Sequence, residues 1–318
     1  MHTLPILDRL VVVNLDVRIW SGRKKLTAED LALGADVPPE DLVSLGSKRV
    51  CDPAPLNGFH RLKKQAERTC LAGGTRFLSG FAIPQARAEA VAKELDALAQ
   101  RFTAQRATFV ANYASAVDDW IAQHPRWEAA IRRAVDPASL VESRLAFGYQ
   151  LYAITPAPNA GDLDQQVAGL GDTLFGEVAQ LARELDGSFV GRDALPRRAL
   201  STFRRVRDKL ACLTFVDYRV QPVLDTLDGW LGRLPKRGPI RGALFNEGFG
   251  LMLLVSDPQR LSDHGAGLLA LHDLLPATPA ATTLGDLDDA PAEEFSLALV
   301  VDAQPPAAHP VASQDFYF

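Results

Sequence analysis

The stretch Phe203–Leu231, FRRVRDKLACLTFVDYRVQPVLDTLDGWL, decides the fold class. Phe203, Val206, Leu210, Leu213, Asp217, Val220, Leu224, Leu227 and Leu231 follow one another at alternating steps of three and four residues. That spacing predicts one helix carrying a seam of four heptads, with a single acid in it. Pro222 lies within the seam and should kink the helix, at a cost of ~3 kcal/mol that packing must offset. A carboxylate at a seam position costs stability unless paired, so Asp217 reads as a residue that sets register, with Arg219, Arg207 or a base on another helix as its partner.

The same stretch holds most of the densest basic cluster, Arg197, Arg198, Arg204, Arg205, Arg207 and Lys209. All but Arg207 can share one broad helical face, and cations on one face are the footprint of phosphate binding. Asp208 and the acidic end of the chain are the alternative counter-charges. Phe203 is the one aromatic nearby and the heptad claims it, so recognition of single strands by stacking is not supported.

Outward from this seam the pattern stays helical. Residues 162–186 place Leu163, Val167, Leu170, Leu174, Val178, Leu181 and Leu185 on one face, ended by Gly187. Residues 85–124 hold neither Pro nor Gly, and a continuous helix there would run ~60 Å at ~1.5 Å per residue, the length of a coiled-coil arm. Asp52-Pro53 opens a helix through Ala72, with Leu56, Phe59, Leu62, Ala66 and Cys70 on its apolar face. Trp127–Val135 reads as a short helix, Leu244–Val255 as a buried helix or a core strand, and Gln259–Leu275 as a helix.

The N-terminal part differs. In LVVVNLDVRIW, residues 10–20, Val11, Val13, Leu15, Val17 and Ile19 alternate with Asn14, Asp16 and Arg18, the period of a half-buried strand. Thr27 with Asp30 three residues on is an N-cap signature for a short helix. Thr75–Ile83 reads as a second strand paired with the first. Residues 143–154 fit a strand through Leu145, Phe147, Tyr149 and Leu151, or a helix through Val141, Leu145 and Tyr149. The expected architecture is α+β and mostly helical: an elongated antiparallel helical bundle or coiled coil beside a small strand-containing region. The expected divisions are 1–84, a small α/β region; 85–275, the helical bundle; and 276–318, an acidic tail.

The chain has 318 residues and a formal net charge of −5. It can bury a core without disulfides or metals. No apolar run reaches the ~18–20 residues of a membrane helix, and Met1-His2-Thr3-Leu4-Pro5 offers no basic region ahead of an apolar stretch. Cys51, Cys70 and Cys212 form no CxxC pair and read as reduced thiols of a cytoplasmic protein. No phosphate-binding glycine loop, nucleophile elbow or HExxH pattern is present, and the six histidines are scattered. Gly46-Ser47-Lys48 could form an anion nest. No cofactor, metal or catalytic residue is expected.

From Asp257 onward the chain carries −9, so residues 1–256 carry +4. An acidic segment of this kind solubilises the body, shields a basic surface or binds a basic partner. Asp315-Phe316-Tyr317-Phe318 ends it with three aromatics, which either fold back on the body or dock in a partner's pocket.

VVVNLDVRIWSGRKKL at 11–26, SLGSKRVCDP at 44–53 and GTRFLSGFAIP at 74–84 resemble a bacterial family catalogued as domain-of-unknown-function family 3150. The resemblance spans residues 10 to about 255. It implies an origin on mobile elements near MoxR-type AAA+ ATPases and von Willebrand factor A proteins, and an accessory role in such a system, in DNA maintenance or phage defence. It carries no catalytic residue to this chain. The expected function is a non-enzymatic interaction protein acting with an AAA+ ATPase; the alternative is a DNA-binding protein of a mobile element. Nucleic acid and a second copy of the chain are further candidate partners.

Overall fold

In the computed structural model, which describes residues 5–31, 42–156 and 161–274, the alternating N-terminal stretch forms strand β1 (Leu10–Arg18). It is followed by β2 (Arg23–Lys25), β3 (Ser47–Arg49), α1 (Asn57–Ala72), β4 (Thr75–Phe77) and β5 (Gly80–Pro84). Next come α2 (Ala88–Ala111), α3 (Tyr113–Gln123), α4 (Glu128–Arg132), α5 (Ala138–Ser143) and β6 (Ala146–Tyr152). The remainder is α6 (Leu163–Ala168), α7 (Leu170–Ala182), α8 (Asp186–Phe189), β7 (Ala194–Leu195), α9 (Leu200–Cys212), α10 (Val220–Arg233), β8 (Ile240–Arg241), α11 (Ala243–Val255) and α12 (Pro258–Gly265). The protein is mostly helical, with a small antiparallel sheet built around its N-terminal strand.

That sheet runs in the order β4-β5-β1-β6. β1 pairs with β5 through Val13↔Phe81 and with β6 through Val13↔Leu151, both antiparallel. Because side chains alternate across a strand, β1 feeds two separate cores. Val13, with Val11, Leu15, Val17 and Ile19 beside it, joins Phe59, Leu95 and Phe102 of α1 and α2. Leu10 and Val12 point the other way and join a core built by α7 and α9 to α12. The strand is therefore buried on both faces in its first half, not on one face only as its alternation suggests.

Several expectations need correction. The four-heptad helix is two helices, α9 and α10, separated by residues 213–219 and packed against each other. Pro222 is the reason: it lacks an N–H and is tolerated only in a first turn, and it stands third in α10. The 3,4 spacing persists because Phe203, Val206, Leu210 and Leu213 on one side of the turn, and Val220, Leu224 and Leu227 on the other, enter the same core. The arm expected over 85–124 is also divided. α2 ends at Asn112, whose backbone N–H and side-chain amide both donate to the Thr108 carbonyl, a competition that breaks helices. α2 packs on α1 and β6 rather than projecting. Gly169 splits the helix expected over 162–186 into α6 and α7.

Thr75–Ile83 is a hairpin rather than one strand, turning at Leu78, which adopts φ 52°. A side chain on Gly80 would strike the Val13 carbonyl, so only glycine lets β5 approach β1 there. Residues 143–154 take the strand option as β6, and Leu244–Val255 the helical one as α11. Gln259–Leu275 is shorter than expected: α12 ends at Gly265, and a 3-10 turn follows at Leu271–Leu274. Met1–Pro276 forms one compact unit, so the division expected at 84/85 runs through it; β6 pairs with β1 across that point. The tail 276–318 lies outside the described residues. No described helix is long and apolar enough to cross a membrane.

Candidate functional site

The basic run SGRKKL and the later GSKRV meet as an antiparallel ribbon, β2 with β3, in the register Arg23↔Arg49, Lys24↔Lys48 and Lys25↔Ser47. Like charges directly opposite one another destabilise a ribbon, and the protein answers this differently on its two faces. Lys24 donates to Asp136 Oδ1 at 2.5 Å and Lys48 to Asp30 Oδ2. Both acids are buried. Asp136 also accepts from Trp20 Nε1 at 2.9 Å. Asp30 accepts from the Thr27 backbone N–H at 2.9 Å and Arg133 Nη2 at 3.2 Å, while Thr27 Oγ1 accepts from the Asp30 N–H. The N-cap signature at Thr27 is thus real, with its acid serving a wider network.

Burial alone would raise the pKa of both carboxylates. The hydrogen bonds outweigh it: Lys48, Thr27 and Arg133 hold Asp30 well below the usual carboxylate range, and Lys24 and Trp20 lower Asp136. Lys24 and Lys48 are in this way spent on the interior. In Gly46-Ser47-Lys48 the Gly46 N–H donates to Ser44 Oγ and the Lys48 ammonium binds Asp30.

Arg23 and Arg49 point outward, exposed, and neither has an ion pair among the described residues. They border a cavity of about 130 Å³ lined also by Ser21, Cys51, Asn57 and His60. α1 continues from its rim. Phe59, Leu62, Ala66 and Cys70 bury one face of α1, which leaves His60, Arg61, Lys63, Lys64 and Arg68 exposed, again without an acidic partner among the described residues.

The cluster expected at 197–209 is arranged otherwise. Lys209 is buried, its Nζ donating to the Leu71 and Gly74 carbonyls at 2.7 and 2.6 Å and lying 2.9 Å from Glu177 Oε2. It ties α9 to the end of α1, where lysines satisfy orphan carbonyls, and burial lowers its pKa. Arg207 makes a two-pronged pair with Asp228 at 2.8 and 3.2 Å, Arg205 pairs with Glu184, and Arg197 donates to the Pro235 and Gly238 carbonyls. Arg198 and Arg204 are exposed without a partner among the described residues. Asp315, Phe316, Tyr317 and Phe318 lie outside the described residues.

Asp217 occupies the turn between α9 and α10. Arg219 grips it through Nε at 3.0 Å and Nη2 at 2.6 Å, then reaches Ser262 Oγ at 2.6 Å and Asp172 Oδ1 at 2.8 Å. Gly171 of α7 lies so close to Asp217 that a side chain there would collide with it. Asp217 is a structural ion-pair partner joining α7, the turn and α12. Cys51, Cys70 and Cys212 are free; burial, with Asp52 nearby, pushes the Cys51 thiol up to about 11. Among the described residues no group of three or more His, Cys, Asp or Glu side chains could hold a metal ion.

Sequence density pointed to 197–209 because charges crowd together there. The ribbon's charges are split between two segments, and only the pairing of Lys24 and Lys48 with buried Asp136 and Asp30 separates them from the exposed Arg23 and Arg49.

Fold and charge layout together define an α+β protein whose sheet divides two cores and whose exposed Arg23, Arg49 and α1 cations have no ion pair among the described residues. The chain belongs to the family described as protein of unknown function (DUF3150), whose model matches residues 7–257. No curated protein and no solved structure matches it.

Proposed function

We propose that the chain is a non-enzymatic accessory protein of a bacterial mobile-element or phage-defence system, acting in the cytoplasm through contacts with a MoxR-type AAA+ ATPase and a von Willebrand factor A protein. The observation that supports this reading is the use of its buried ionisable groups. Asp30, Asp136, Lys209, Asp217 and Arg219 are each engaged in joining one element to another. Among the described residues the remaining charged side chains are not buried, so macromolecules can meet them. In this reading α7 and α9 to α12 serve as a bundle-like scaffold, and the peptide Asp315–Phe318 is the docking point, its aromatics acting as anchors. Reconstitution with the ATPase encoded beside it in the same host tests this. Co-migration on size exclusion is expected, lost on deletion of Asp315–Phe318 with an unchanged melting temperature. Separate migration of the two intact proteins overturns the reading.

A second reading, a DNA-binding protein of mobile-element maintenance or recombination, is favoured by one specific observation: Arg23 and Arg49 of the ribbon and the exposed cations of α1 have no acidic partners among the described residues.

A further inference from the structure

We infer that Arg23, Arg49, His60, Arg61, Lys64 and Arg68 form a track that binds the sugar–phosphate backbone of duplex DNA without reading its sequence. The inference rests on the second reading above and moves the contact away from residues 197–209.

Three observations carry it. First, the ribbon sets Arg23 directly opposite Arg49. Cross-strand like charges are costly, and the neighbouring Lys24↔Lys48 pair is relieved by buried Asp136 and Asp30. The outward pair has no such relief among the described residues, and a bound anion would supply it. Second, the cavity beside the pair, about 130 Å³, is the size of a phosphate group with its water and offers Ser21, Asn57 and His60 as donors. Third, Arg61, Lys64 and Arg68 follow at helical steps of three and four on the solvent face of α1, with His60 four residues before Lys64. Their span is ~12 Å at ~1.5 Å per residue. The apolar face behind them is locked in the core, so the stripe is held in place before any ligand arrives.

The acids beside the track in sequence, Asp52 and Glu67, do not neutralise it among the described residues. Asp52 Oδ1 accepts from the Ala54 N–H, and Glu67 is half-buried and makes no ion pair with the track. Trp120 donates to the Arg49 carbonyl and lies tilted against His124, while Trp20, beside Gly22, is buried. Among the described residues the track itself contains no aromatic ring, which favours a duplex backbone over a stacked single strand. Arginines placed to meet phosphates position a duplex without specifying its sequence.

Fluorescence anisotropy of the full chain with a labelled duplex of mixed sequence, from 50 to 200 mM salt, tests the assignment. The logarithm of the association constant should fall linearly with the logarithm of salt, each phosphate contact adding about 0.9 to the slope. Arg23→Ala with Arg49→Ala should weaken low-salt binding at least tenfold and reduce the slope by about two. Arg61→Gln with Lys64→Gln, on the solvent face of a packed helix, should do the same and serves if the ribbon variant fails to fold. Binding by the wild-type chain that both variants retain, or that only Arg198→Ala with Arg204→Ala removes, overturns the track but leaves DNA contact standing. No salt-dependent binding by the wild-type chain overturns both.

Discussion

Removing the Asp217 carboxylate would leave Arg219 largely buried with part of its hydrogen bonding unmet, since its side chain is only 17% exposed. Breaking one side of such a pair costs about 3 kcal/mol. Asp217→Leu should therefore lower the urea midpoint markedly; an unchanged midpoint would restore the register-setting role that the heptad spacing suggested. Asp30 makes a pH prediction. Burial opposes its ionisation, but Lys48, Thr27 and Arg133 overcome this, so its folded pKa lies below the ordinary 3.8. A carboxylate depressed in the folded state contributes stability above its unfolded pKa and loses it as pH falls through the folded one. Stability should therefore decline as pH drops below about 4. Asp30→Asn should be less stable at pH 7 and show a shallower decline in acid. Urea midpoints between pH 3 and pH 7 measure this, and parallel pH curves for the two proteins would mean the network is not formed.

Leu213 ends α9 and is fully buried. Leu213→Ala should cost about 2–5 kcal/mol, read as a loss of melting temperature; a wild-type melting curve would mean that the α9–α10 turn is not packed. The element scale also shows what the sequence discloses. β1, α1, α9 and α10 are legible because each buries a periodic face, and periodicity is local information. The breaks at Asn112, Gly169 and 213–219 are less legible. A helix pattern continues across them, since the core asks for apolar residues on either side of a turn as well as along a helix. The candidate site divides in the same way. Arg23, Lys24, Lys25, Lys48 and Arg49 are visible as cations, but which of them are consumed depends on Asp136, more than a hundred residues after Lys24, and on the depth at which Asp30 is buried. Lys209 misleads for the same reason: only the fold shows that its charge is spent on the end of α1.

At the scale of the molecule, one sheet serves two cores, so neither core has a complete wall without it. The two should melt together. Trp20 is buried in one and Trp230 in the other, which provides a probe for each. Variants retaining only Trp20 or only Trp230 should give superimposable denaturation curves once corrected for their own stabilities. Separated midpoints would show that the halves unfold independently. The shared wall also has a consequence during synthesis. β1 is made well before β6: the partner residue of Val13 is Leu151. At about 5–20 residues per second, those roughly 140 residues take some 7–28 s to translate. Throughout that interval a valine-rich segment stands with an open edge, guarded only by Asp16 and Arg18 at its far end. Newly made chains are therefore natural clients for holding chaperones, and their yield in a foreign host will depend on how well that delay is covered.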